Sequence, residues 1–159
     1  MKSEVLIKIK DIKLFLFDLE GVLLISESNG EQKFLKEISS LCGEFKKRNI
    51  LFGIITARKK DYLIEELGGC ENCLLISSTL AKAEAAEKLL QKLNLGFGNV
   101  FYIGDEILDI PLLQKCGLSA APDNSKREVK RSVDFIVKGN GASETVKEIL
   151  DIYDKAQLQ

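Results

Sequence analysis

Nearly unbroken apolar runs alternate with amphipathic stretches along this chain, and each kind predicts a different element. Residues 12 to 17 lack the apolar-polar alternation of a half-exposed strand; such a run suits a strand covered on both faces, and it stops at the carboxylate of Asp18. Residues 3 to 11 precede it as a short, weakly patterned lead-in, and Ser26-Glu27-Ser28-Asn29-Gly30 follows as a polar turn containing Asn-Gly. Phe34, Leu35, Ile38, Leu41, Cys42 and Phe45 recur at helical spacing from about 31 to 48, with Lys46, Lys47 and Arg48 at the helix's negative end. Residues 50 to 56 predict a second buried strand, and a helix from about 59 to 67 closes at Gly68-Gly69. The rhythm then repeats: a strand at 74 to 76, a patterned helix from about 80 to 93, and a strand at 100 to 105. A helix opens at Glu106 with Pro111 in its first turn, followed by a strand at 118 to 122, a short helix at about 125 to 132, a strand at 135 to 137 and a last helix from about 142 to 156. Strand-helix alternation throughout implies right-handed crossovers and an α/β architecture with a doubly wound, mostly parallel sheet, in one domain spanning residues 1 to 159.

Three of these strands end in a group capable of chemistry: Asp18, Thr56 and Asp105. A fourth is followed by Lys82 in the first turn of the next helix. In a parallel sheet the carboxyl ends of the strands border the crevice where ligands bind, so these groups are expected to converge. A lone strand-end Asp more commonly caps a turn, and only the coincidence of several such ends outweighs that reading. Two carboxylates, a hydroxyl and an ammonium suit phosphoryl transfer. A carboxylate attacks phosphorus, a hard cation on oxygen ligands offsets the phosphate charge, and Lys and Thr hold the equatorial oxygens.

Composition narrows the chemistry further. The chain has 159 residues, 45% apolar and 30% charged, with 23 basic against 24 acidic, which gives no basic excess for nucleic acid. No apolar run approaches the roughly 20 residues that cross a bilayer, and Met1-Lys2-Ser3-Glu4 opens no secretory segment, so a cytoplasmic location is expected. Histidine is absent, which excludes Ser-His-Asp and Cys-His catalysis and any His-ligated metal. Cys70 and Cys73 form a C-x-x-C pair; a redox pair or half a zinc site is one reading, and Cys73 opening a buried strand is the plainer one.

Asp18-Leu19-Glu20-Gly21-Val22-Leu23, Ile54-Ile55-Thr56-Ala57-Arg58, Lys82 at its helix start and Tyr102-Ile103-Gly104-Asp105-Glu106-Ile107-Leu108-Asp109 resemble, in order, the four motifs of the haloacid dehalogenase (HAD) superfamily. Lys115-Cys116-Gly117-Leu118-Ser119-Ala120 and Gly139-Asn140-Gly141-Ala142 are similar to its small, capless branch, which includes sugar-acid phosphatases. The resemblance implies a Rossmannoid domain without a large cap. It also implies a Mg²⁺-dependent phosphomonoester hydrolase acting on a small phosphorylated sugar or sugar acid through an aspartyl-phosphate. Asp18 would be the nucleophile, Glu20 the general acid/base, and Asp18, Asp105 and the Glu20 carbonyl the metal ligands. Thr56, the amide of Ala57, Arg58 and Lys82 would bind substrate, and Glu106 and Asp109 would orient Lys82 or a metal-bound water. Glu106 and Asp109 also read as a solvated acidic helix start, and Arg58 as a solvated charge.

Two departures from the family pattern stand out. Glu20 occupies a position where the family has Asp, which moves the carboxyl by roughly an ångström, a displacement that can cost on the order of a hundredfold in rate. Residues 25 to 31 are too short and polar for the β-hairpin through which capless members form homotetramers. The expectation is therefore an active phosphatase or, alternatively, a catalytically impaired module serving assembly or regulation.

Overall fold

The computed structural model describes residues 2–25 and 30–159. Most of the polar turn expected over 26 to 30, and with it the question of a hairpin, lies outside the described residues.

Six parallel strands form one sheet: β1 (Leu14–Asp18), β2 (Leu51–Ile55), β3 (Cys73–Ile76), β4 (Val100–Ile103), β5 (Leu118–Pro122) and β6 (Phe135–Val137). The order across the sheet is β3-β2-β1-β4-β5-β6, so the chain winds outward from β1, crosses back over it, and winds outward the other way. The strand order reverses between β1 and β4, where neighbouring connections leave in opposite directions and open a crevice at the strands' carboxyl ends. β1 sits at the centre, paired Leu14↔Leu51 and Leu14↔Val100, and is buried over its whole length.

Because strand side chains alternate, β1 feeds two cores. Phe15 and Phe17 point to the layer built by α1 (Ser3–Ile9), α2 (Glu31–Lys47), α3 (Tyr62–Gly68) and α7 (Gly141–Gln157). There Phe15, Phe17, Phe45, Phe52 and Phe101 stack with centroids 5.1–6.0 Å apart. Leu14 and Leu16 point to the other layer, under α4 (Lys82–Leu93), α5 (Ile110–Lys115) and α6 (Arg127–Lys130). Across the first layer, Arg48 at the end of α2 donates two hydrogen bonds of 2.7 Å to Asp154 of α7.

The weakly patterned lead-in is a helix, α1. Val5, Leu6 and Ile9 are buried while Ile7 is 67% exposed, so an apolar residue on the wrong face blurs the stripe in the sequence. The helix expected to open at Glu106 begins instead with a tight 3-10 turn, Ile107–Asp109, before α5. Cys73 opens β3, paired with Phe52, and all four cysteines are free thiols.

Candidate active site

β1 ends at Asp18, and the chain turns at once. The amides of Leu23 and Leu24 donate to the Leu19 carbonyl at 3.0 and 2.8 Å, and Gly21 N donates to Leu24 O at 3.1 Å. Leu19, Val22 and Leu23 are buried and pin the turn to the core. Gly21 has a φ of 83°, which glycine adopts without strain, and any Cβ there would overlap the Asp105 carboxylate. That close approach brings the ends of β1 and β4 together.

The strand-end groups surround a cavity of about 330 Å³ lined by Asp18, Glu20, Thr56, Ala57, Arg58, Lys82, Asp105, Glu106 and Asp109, with Leu80 and Leu108 on its wall. A larger cavity of about 380 Å³ beside Phe34, Leu63 and the start of α7 contains none of the strand-end groups.

Lys82, at the start of α4, has a side chain only 7% exposed. Its ammonium donates to Asp18 Oδ1 at 3.1 Å, to Asp109 Oδ1 at 2.7 Å and to the Tyr102 hydroxyl at 3.3 Å. Burial alone would push this amine down; the charges of Asp18 and Asp109 outweigh it and hold Lys82 above its ordinary value. Asp109 is fully buried rather than solvated. Its Oδ1 also accepts from Tyr102 Oη at 2.7 Å, and its Oδ2 accepts the amides of Asp105 and Glu106 at 3.1 and 3.0 Å. Gly104 permits this, since a Cβ there would overlap the Asp109 carboxyl.

Asp18 and Asp105 are less well served. Asp105 Oδ1 is buried without a partner, and one carboxylate oxygen from each of Asp18, Asp105 and Asp109 lies within 4.8 Å of the others. Burial first, then the charge of Asp109, push Asp18 up to about 8 in spite of Lys82, and burial likewise raises Asp105. Two adjacent carboxyls that resist ionisation together and an orphaned oxygen are the environment that a hard divalent cation satisfies. Asp109, with four donors already on its two oxygens, has no lone pair left for an ion.

Thr56 is buried, and its Oγ1 accepts the Arg58 amide at 3.0 Å. The Arg58 side chain is 15% exposed: Nε donates to Asp61 Oδ2 at 2.9 Å and Nη1 lies 3.8 Å from Glu20 Oε2. It is thus anchored to the residue that caps α3 rather than solvated. The Glu20 side chain is 56% exposed at the cavity mouth. Glu106 lines the cavity and its carboxylate accepts from Lys126 at 2.9 Å, while Asp109 is the one of the two that reaches Lys82. Tyr102, which completes the Lys82 cluster, is absent from the sequence-based set because an aromatic within an apolar run reads as core.

The haloacid dehalogenase-like hydrolase profile matches residues 69–150. The 3-deoxy-D-manno-octulosonate 8-phosphate phosphatase KdsC of Escherichia coli is 28% identical over 99% of this chain and 87% of its own length. The cobalt-bound deoxy-D-mannose-octulosonate 8-phosphate phosphatase from Haemophilus influenzae superposes with a TM-score of 0.79 at 25% identity, over 94% of this chain and 91% of that one. The Moraxella catarrhalis enzyme, solved with magnesium, phosphate and KDO, shares the fold with a TM-score of 0.78 at 24% identity, over 98% of this chain and 93% of that one. Profile, relatives and the order of strands around β1 agree: this chain belongs to the haloacid dehalogenase-like hydrolase family.

Proposed function

We propose that this chain is a Mg²⁺-dependent phosphatase that hydrolyses a small phosphorylated sugar or sugar acid through an aspartyl-phosphate on Asp18. The observation that carries the reading is the buried pair of Asp18 and the unpartnered Asp105 oxygen, with the Lys82 ammonium against Asp18. The names of the KdsC relative from Escherichia coli and the cobalt-bound relative supply the substrate class and support a metal at this pair.

Asp18, Asp105 and the main-chain carbonyl of Glu20 would hold the ion. When bound, it supplies positive charge to the two carboxylates and to the phosphoryl oxygens. Lys82 and Thr56 hold the remaining phosphoryl oxygens, joined by the amide of Ala57, while Arg58 faces the substrate body. An Asp18 oxygen attacks phosphorus and the bond to the sugar oxygen breaks; the Glu20 carboxyl gives that oxygen its proton. Glu20, now a carboxylate, takes a proton from water as the water attacks phosphorus, freeing Asp18 and releasing phosphate. Self-assembly into a homotetramer and a cytoplasmic location belong to the same proposal; among the described residues no helix is long and apolar enough to cross a membrane.

A second reading, a module with impaired turnover, is favoured by the exposed position of Glu20. Phosphate release from an aryl phosphate, with and without Mg²⁺, separates the two. Asp18→Asn is expected to abolish release, and Glu20→Asp to raise it by up to about a hundredfold. Unchanged rates in both variants would remove the catalytic assignment, and a panel of phosphorylated sugars and sugar acids then identifies the substrate.

A further inference from the structure

We propose that Tyr102 is a positioning residue: its hydroxyl, held by Asp109, fixes the Lys82 ammonium between Asp18 and Asp109 and so aims its remaining N–H at the phosphoryl group. The kinetic part of this inference rests on the phosphatase reading; the structural part does not.

A lysine ammonium has three N–H donors. Two are spent inside the protein: one on Asp18 Oδ1 at 3.1 Å, and one shared by Asp109 Oδ1 at 2.7 Å and Tyr102 Oη at 3.3 Å, which lie only 2.7 Å from each other. Three acceptors that are not in line fix where the nitrogen sits; two carboxylates alone leave it free to swing about the line between them. Tyr102 fills its part because its single proton goes to Asp109 Oδ1 at 2.7 Å, which leaves an oxygen lone pair for Lys82. The phenol cannot drift. Its ring is fully buried in the layer under α4, and β4 is hydrogen-bonded to β1 and β5 on either side, with Tyr102 opposite Leu16 and Ser119.

The bond to the phenol is the longest of the three. The third N–H is left for a phosphoryl oxygen entering the cavity that Lys82 lines, so Lys82 takes hold of it while keeping Asp18, Asp109 and Tyr102. Tyr102 thus sets the direction of an ammonium that touches the substrate without touching the substrate itself.

Tyr102→Phe keeps the ring and removes the oxygen. With the Mg²⁺-loaded enzyme and an aryl phosphate, kcat is expected to fall on the order of tenfold to a hundredfold, while KM moves by less than about threefold, because the misplaced ammonium is felt chiefly in the transition state. The second readout is the ¹H–¹⁵N resonance of the Lys82 ammonium, assigned by its loss in Lys82→Met. Proton exchange at this group is expected to quicken roughly tenfold in Tyr102→Phe as the bonded network loses a member. Unchanged kcat together with unchanged exchange would overturn the proposal, since a purely packing role lowers the melting temperature and moves neither. Should the parent release no phosphate from any substrate, the phosphatase reading falls, and the ammonium resonance still decides the role of Tyr102. If Tyr102→Phe does not fold, Tyr102→4-aminophenylalanine, which still offers Asp109 a donor but gives Lys82 only a poor acceptor, carries the same two measurements; fast exchange there supports the proposal, and parent-like exchange overturns it.

Discussion

Asp18 carries a cost as well as a chemistry. Burial first, then the charge of Asp109, push its folded carboxyl up to about 8 from an ordinary value of 3.8. Between those two values the folded chain holds a proton that the unfolded chain releases, so the unfolded state binds fewer protons and stability falls as pH rises. Metal-free protein is accordingly expected to melt at progressively lower temperature from about pH 5 to pH 8, and Asp18→Asn to flatten that slope; calorimetry across the range checks both. Much of this neighbourhood was legible one residue at a time. Asp18, Thr56, Lys82 and Asp105 announce themselves because a polar group at the end of an apolar run breaks the pattern. Tyr102 breaks no pattern, and its hydroxyl acquires meaning only when Lys82 and Asp109 arrive from elsewhere in the chain. Asp109 left two readings open, a partner of Lys82 by its motif and a solvated acid by its place at a helix start; a 3-10 turn folds it inward to receive four donors.

The elements divide by how cleanly their periodicity shows. α2 buries Phe34, Ile38, Cys42 and Phe45 on one stripe, and the predicted helix from about 31 to 48 coincides with Glu31–Lys47. α1 hides because its few residues place Val5, Leu6 and Ile9 inward but also carry Ile7 outward. The contrast makes a paired test. Ile9→Ala removes a fully buried side chain and is expected to cost about 3 kcal/mol by urea unfolding, whereas Ile7→Ala, two residues away and 67% exposed, is expected to cost less than about 0.5 kcal/mol. Comparable losses at both positions would mean that α1 does not dock as described. Boundaries differ mostly at strand ends, where β4 stops at Ile103 rather than at residue 105. The chain leaves the ladder there to wrap Gly104 around Asp109 and present Asp105 to Asp18.

At the scale of the molecule, one parallel sheet with a reversal in strand order places a charged, partly desolvated site over a buried, largely apolar floor. The ion proposed at Asp18 and Asp105 would join the ends of β1 and β4, which would link its binding to unfolding of the whole sheet rather than of a loop. At a hundred times its Kd, Mg²⁺ is expected to add about 2.7 kcal/mol to stability in the parent and close to none in Asp105→Asn, measured by denaturant unfolding. The doubly wound fold was readable because alternation of strands and helices admits few parallel arrangements; that the reversal falls beside β1 was not, because nothing local in the sequence states which strands are neighbours. That reversal has a consequence for how the protein comes into being. A chain emerging from the ribosome only as far as Leu93 already carries Asp18, Thr56 and Lys82, yet the strand that brings Tyr102 and Asp105 must still slide in beside β1. Competence to capture the proposed ion would therefore arrive late and all at once, and turnover would certify that synthesis and folding of the central strands are both complete.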